Sequence, residues 1–179
     1  ADTLILYGGR DSRTLVMDSV LADINYACEN ILTTTDQSRS TITKYVAYAL
    51  KSRICLFEGT FRKYHTELNL QATADTWLTN AATAAKTVMD EGGFSVYTTG
   101  GPDKSYRALF TSDSPVASEI MLSAISDITL KVLNDANWYW TSGTYGDKAS
   151  FIRTFINTYL NIDGTPFTNN PDWPTMLFK

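Results

Sequence analysis

Lys44-Tyr-Val-Ala-Tyr-Ala-Leu-Lys-Ser-Arg-Ile-Cys-Leu-Phe-Glu-Gly59 is the stretch that decides the fold. With its flanks, from Ser40 to Tyr64, it repeats apolar side chains at spacings of three and four: Ile42, Val46, Leu50, Ile54, Phe57 and Phe61. That period belongs to one face of an α-helix. At ~1.5 Å per residue the helix reaches roughly 37 Å. Gly59 lies near its end, where glycine costs up to about 1 kcal/mol relative to alanine, so a bend or break is expected there.

Two further helices flank it. From about Ser12 to Leu32, Val16, Val20, Ile24, Ala27 and Ile31 form a wide apolar stripe, with Asp11 or Ser12 placed to accept an orphan backbone N–H. The β-branched, polar run Thr33-Thr-Thr-Asp36 ends it. From Ala74 to Glu91 the face is small, with Trp77, Leu78, Ala81, Ala82, Ala85, Val88 and Met89, and Gly92-Gly93 supplies a left-handed C-terminal residue. The second and third helices form an antiparallel pair with a short connection and small facing residues, the pattern of a tetratricopeptide unit. The first helix then reads as the second half of a preceding unit. Such units need about three copies to bury their faces, so the chain is expected to be a segment of a longer protein.

Texture changes near residue 100. All five prolines, from Pro102 to Pro174, follow it, and ten of the 22 aromatic residues fall between Trp138 and Phe178. Proline breaks helix interiors. Residues 1–100 are therefore read as a helical, hairpin-built region and 101–179 as a loop-rich, aromatic part of the same domain. Within the latter, Ser105–Phe110 reads as one helical turn and Glu119–Ile125 as a buried strand or a helix segment. Ala149–Leu160 reads as a short helix with Phe151, Ile152, Phe155, Ile156 and Tyr159 on one side, and Asp163-Gly164 as a turn.

The 179 residues amount to about one domain. A net charge of −4 and a pI near 4.9 argue against nucleic acid, which calls for a basic face. An apolar content of 44% is too high for disorder, and no uncharged run is long enough to span a bilayer. Ala1-Asp-Thr3 does not begin a signal peptide. Cys28 and Cys55 fall on apolar helix faces and read as buried free thiols.

Residue chemistry gives no catalytic or metal motif. His65 is the single histidine, at the end of the long helix beside Arg62, Lys63 and Tyr64; it cannot build a two-histidine metal site, and no G-x-S-x-G elbow offers it a serine. Glu119 and Asp127 lie in no glycosidase motif. Asn161-Ile-Asp163-Gly164 begins like a calcium loop, but Tyr159 and Asn170 stand where that loop needs ligands. Gly100-Gly-Pro-Asp-Lys104 lacks phosphate-loop spacing. Trp77, on the alanine-rich helix, reads as core, and Trp173 as packing against a neighbouring part or as a further ring platform.

The segment Asn134-Asp-Ala-Asn-Trp-Tyr-Trp-Thr-Ser-Gly-Thr-Tyr145 carries rings and amides together. A pyranose has an apolar C–H face for a ring to cover and a hydroxyl rim for amides to bond. Trp138, Tyr139, Trp140 and Tyr145 are the expected stackers, with Asn134 and Asn137 as polar partners. The competing reading is that the rings fill the junction between helices and loops.

Five blocks in order resemble the SusD/RagB family. They are the Lys44–Gly59 helix, Ala81-Ala-Thr-Ala-Ala-Lys-Thr-Val-Met89 leading to Gly93-Phe94, Tyr106-Arg-Ala-Leu-Phe110, Ser118-Glu-Ile-Met121, and Phe155-Ile-Asn-Thr-Tyr-Leu-Asn-Ile-Asp-Gly-Thr-Pro166. The resemblance covers about residues 10–178. It implies a mainly α, tetratricopeptide-like superhelix with a loop-rich part, and an internal segment of an outer-membrane lipoprotein of Bacteroidetes. It also implies capture of oligosaccharide or polysaccharide at the cell surface, without catalysis or cofactor, for a SusC-type TonB-dependent transporter. Membrane attachment would come only through an N-terminal lipid anchor absent from this chain. In that family recognition aromatics occur in loops of the irregular part. The alternative is a segment that contacts the transporter without binding glycan itself.

Overall fold

Ser12 opens the first helix by accepting the Leu15 N–H on its hydroxyl at 3.2 Å, one turn ahead. The computed structural model describes residues 7–133, 135–147 and 150–173. These residues are mainly helical. Three long helices, α1 (Arg13–Asn30), α2 (Lys44–Tyr64) and α3 (Ala74–Glu91), precede three short ones, α4 (Ser105–Phe110), α5 (Ala136–Thr141) and α6 (Arg153–Ile156). Strand-type pairing among the described residues amounts to two isolated bridges, Asp127 with Val132 and Leu160 with Pro166. The chain parts into two units after Ile125.

In the first unit the three long helices run up, down and up. Arg62 meets Thr73, Gly59 meets Leu78, and Cys55 packs with Trp77 and Ala81, so α2 and α3 are antiparallel. Arg13 meets Glu58 while Ile24 and Cys28 pack on Ala47, which makes α1 antiparallel to α2 as well.

The α2 start differs from its expected place. Asp36 Oδ2 accepts the Ser40 and Thr41 N–H groups at 2.9 and 2.8 Å, holding these residues in a turn. Thr43 then caps the helix, its hydroxyl accepting the Val46 N–H.

The helix does not break at Gly59. It continues to Tyr64, and Gly59 is buried where α3 crosses: a Cβ there would sit 2.8 Å from Leu78 Cδ2 and 3.0 Å from the Leu78 backbone nitrogen. The glycine serves close helix approach.

The buried face of α2 is also rotated from its apolar stripe. Ala47, Cys55, Glu58, Gly59 and Arg62 are buried, whereas Ile42, Leu50 and Phe57 are exposed. Small residues face inward because α3 presents Ala74, Ala81 and Ala84 at short range. Trp77 and both free cysteines are buried, as their positions on the helices imply. Burial pushes both thiols up, against a smaller opposing effect of Lys51.

At its C-terminus α3 ends on Gly92, and Gly93 follows at φ +68°, the left-handed conformation glycine accepts. Residues 119–125 form neither the strand nor the helix considered for them. Ser123 donates its backbone N–H to Arg39 O at 2.8 Å instead. Arg39 itself is buried, with φ +54°, and its guanidinium bonds Ala117 O and lies 5.4 Å from the Phe94 ring centroid. One side chain thus fastens residues 94–123 to the α1–α2 connection.

Candidate functional site

The second unit contains no fully buried residue among those described. Its aromatic segment, expected as a loop, includes the short helix α5. Tyr139 N–H bonds Asp135 O at 3.0 Å, Ser142 N–H bonds Trp138 O at 2.9 Å, and the Thr141 hydroxyl donates to Asn137 O at 2.6 Å. The chain then doubles back: Gly146 N–H reaches Ser142 O at 3.1 Å and Asp147 N–H reaches Tyr139 O at 3.1 Å. A Cβ on Gly146 would lie 2.6 Å from Tyr139 O, so only glycine fits this return.

The return brings rings together that are seven residues apart. Trp138 and Tyr145 stack with centroids 6.4 Å apart and planes 11° from parallel, and Tyr139 meets Trp138 edge-on at 5.3 Å. Trp138 and Tyr139 are each 51% exposed, Trp140 69% and Tyr145 75%. Asn137 is exposed on the same helix, while Asn134 lies outside the described residues.

A second ring ladder was not read from the sequence as a site. Phe151 stacks on Phe155 at 5.3 Å, and Phe155 meets Tyr159 edge-on at 5.8 Å, all three exposed. The sequence placed these rings on one side of a helix over 149–160, but the α-helix spans only Arg153–Ile156. The four-residue spacing here makes an outward ladder.

The remaining candidates have local roles. His65 caps α2, half exposed, with Nδ1 2.7 Å from Glu67 Oε1. Glu119 Oε2 accepts the Tyr97 N–H at 2.6 Å, and Asp127 Oδ1 the Leu130 N–H at 2.9 Å. Asp163 Oδ1 accepts the Thr165 hydroxyl and N–H, which lowers its pKa, and Gly164 completes the turn at φ +81°. Trp173 is half-buried. No group of three or more His, Cys, Asp or Glu side chains among the described residues is arranged to hold a metal ion.

Fold and site together define a mainly helical protein that displays paired rings on its surface. No family model, curated protein or solved structure matches the chain.

Proposed function

We propose that this chain is an internal, tetratricopeptide-like segment of a SusD-like surface lipoprotein, and that it captures oligosaccharide or polysaccharide without altering it. The observation that carries this reading is the outward stack of Trp138 and Tyr145 flanked by exposed Tyr139 and Trp140. Near-parallel indole and phenol faces suit the C–H faces of pyranose units, and side-chain amides at Asn137 and Asn134 suit the hydroxyl rim. The antiparallel α2–α3 hairpin with its glycine and alanine contact supports the repeat-type scaffold. In this reading the longer protein is lipid-anchored at the outer membrane and hands glycan to a SusC-type TonB-dependent transporter. Incubating the intact chain with oligosaccharides tests the absence of turnover: bound glycan is recovered at its original length, and shortened products would reject the proposal.

A second reading is contact with the transporter alone. It is favoured by exposed aliphatic side chains in the second unit, among them Ile128, Leu130, Ile152 and Ile162, which give a sugar hydroxyl nothing to bond. Alanine at Trp138, Trp140 and Tyr145 separates the two readings. Glycan binding lost with the transporter complex intact supports capture; the reverse supports contact alone.

A further inference from the structure

A half-open cleft in the first unit, away from the ring stack in sequence, has a volume of about 490 Å³, within the size range of small-ligand sites. Val96, Pro102 and Leu109 give it apolar walls. Its shape is fixed by hydrogen bonds between separate segments. Ser95 N–H donates to Ser118 O at 2.8 Å, and Tyr97 N–H donates to Glu119 Oε2 at 2.6 Å. The buried Ser105 hydroxyl accepts the Gly100 N–H at 3.1 Å and donates to Gly101 O at 2.7 Å, which holds the turn that lines the cleft.

Two features of this cleft invite a ligand. Tyr106 lines it while remaining 76% exposed, braced by Phe110 at a ring distance of 4.7 Å. Glu119 lines it too, with Oε2 occupied by Tyr97 and Oε1 taking no hydrogen bond among the described residues. No lysine or arginine forms an ion pair with Glu119 among those residues. A carboxylate oxygen in a largely apolar recess accepts hydrogen bonds and repels anions. A ring beside it covers a C–H face.

We propose that this cleft is a second sugar subsite, in which Tyr106 stacks on one pyranose ring, Glu119 accepts its hydroxyls, and uronate or sulfated rings are turned away. The inference rests on the reading of the chain as glycan-binding. Its test is NMR on the 179-residue chain, following Tyr106, Leu109 and the indoles of Trp138 and Trp140. The probes are maltohexaose, cellohexaose, xylohexaose, mannohexaose and hexagalacturonate.

At least one neutral hexasaccharide should shift Tyr106 and Leu109 saturably. Glu119→Gln keeps an acceptor for the Tyr97 N–H, and it should weaken that response about tenfold, the scale of one charge-assisted hydrogen bond. Tyr106→Ala should weaken it comparably, whereas Trp138→Ala should not. Neutral sugars that shift the indoles but not Tyr106 would overturn the subsite and leave the proposed function standing. No shift at either set would remove both. A hexagalacturonate response at Tyr106 equal to the neutral one would overturn the charge selection.

Discussion

Glu58 Oε1 accepts a hydrogen bond from Arg62 Nε at 2.8 Å, one turn along α2, with the carboxylate 0% and the guanidinium 2% exposed. Arg13 of α1 reaches the other carboxylate oxygen at 2.6 Å and lies 3.6 Å from the Phe61 ring centroid. Arg62 continues to the Thr73 hydroxyl at 2.8 Å and lies over Trp77 at 4.9 Å. A single buried carboxylate therefore links all three long helices. Such a network adds little net stability, because the Glu58 and Arg62 charges give up hydration to enter the core.

Removing one partner from this network leaves an uncompensated buried charge. Glu58→Ala should destabilise the first unit by about 3–5 kcal/mol. Arg13→Ala should cost about 1 kcal/mol, since that side chain is partly solvated and its attraction is screened. Urea unfolding of the two variants checks the ratio; equal losses would contradict it.

Replacing Gly59 separates two accounts of that residue. If glycine only weakened the helix, alanine would stabilise it by up to about 1 kcal/mol. Close packing against Leu78 predicts the opposite sign, a loss of about 1–3 kcal/mol from overpacking. Trimming Leu78 in the Gly59→Ala background should recover part of that loss, and thermal unfolding of the single and double variants reads the sign.

Much of this helical frame was legible from the chain. Apolar periodicity located α1 and α3 closely, and Gly92-Gly93 marked the end of α3, because caps and stripes are local physics. The face of α2 was not legible. Ile42, Leu50 and Phe57 carry the period, yet Ala47, Gly59 and the Glu58–Arg62 pair lie inside. Which face is buried depends on how closely a distant alanine-rich helix approaches. The i,i+4 spacing of Glu58 and Arg62 was the available signal, but most such pairs lie on surfaces. In the second unit, the Trp138–Tyr145 stack depends on the return at Gly146, a tertiary feature that residue types alone do not specify.

Asp36 gives the α1–α2 connection a dependence on pH. Hydrogen bonds from the side chains of Ser38 and Thr41, then from the Thr41 backbone, hold its carboxyl well below the usual carboxylate range. A depressed folded-state pKa contributes stability above the unfolded value near ~3.9, lost as pH falls through the folded value. The order of residues 36–41 should therefore persist at pH 4 and decline at stronger acidity. Asp36→Asn should remove that acid dependence in amide-exchange measurements; an unchanged profile would contradict the assignment.

Arg39 should act as a local fastener. Arg39→Met removes the buried donor to Ala117 O and the contact over Phe94. The expected cost is about 1.5–3 kcal/mol, the scale of a hydrogen bond from a charged group. Backbone exchange at Ser123 should accelerate, while exchange in the α2–α3 hairpin stays slow. Uniform acceleration through α3 would show a global role instead.

The most direct test of the central claim is calorimetric titration of the intact chain and its Trp138→Ala/Trp140→Ala/Tyr145→Ala variant with a panel of neutral polysaccharides. All three side chains are exposed, so the triple variant should fold with stability close to that of the parent. The account predicts saturable binding by the parent and, for each glycan whose binding shifts the Trp138 and Trp140 indoles, at least a tenfold loss at that site in the variant, the scale of about 1.4 kcal/mol from lost ring contacts. Equal affinity of the two proteins for every glycan that binds would contradict it.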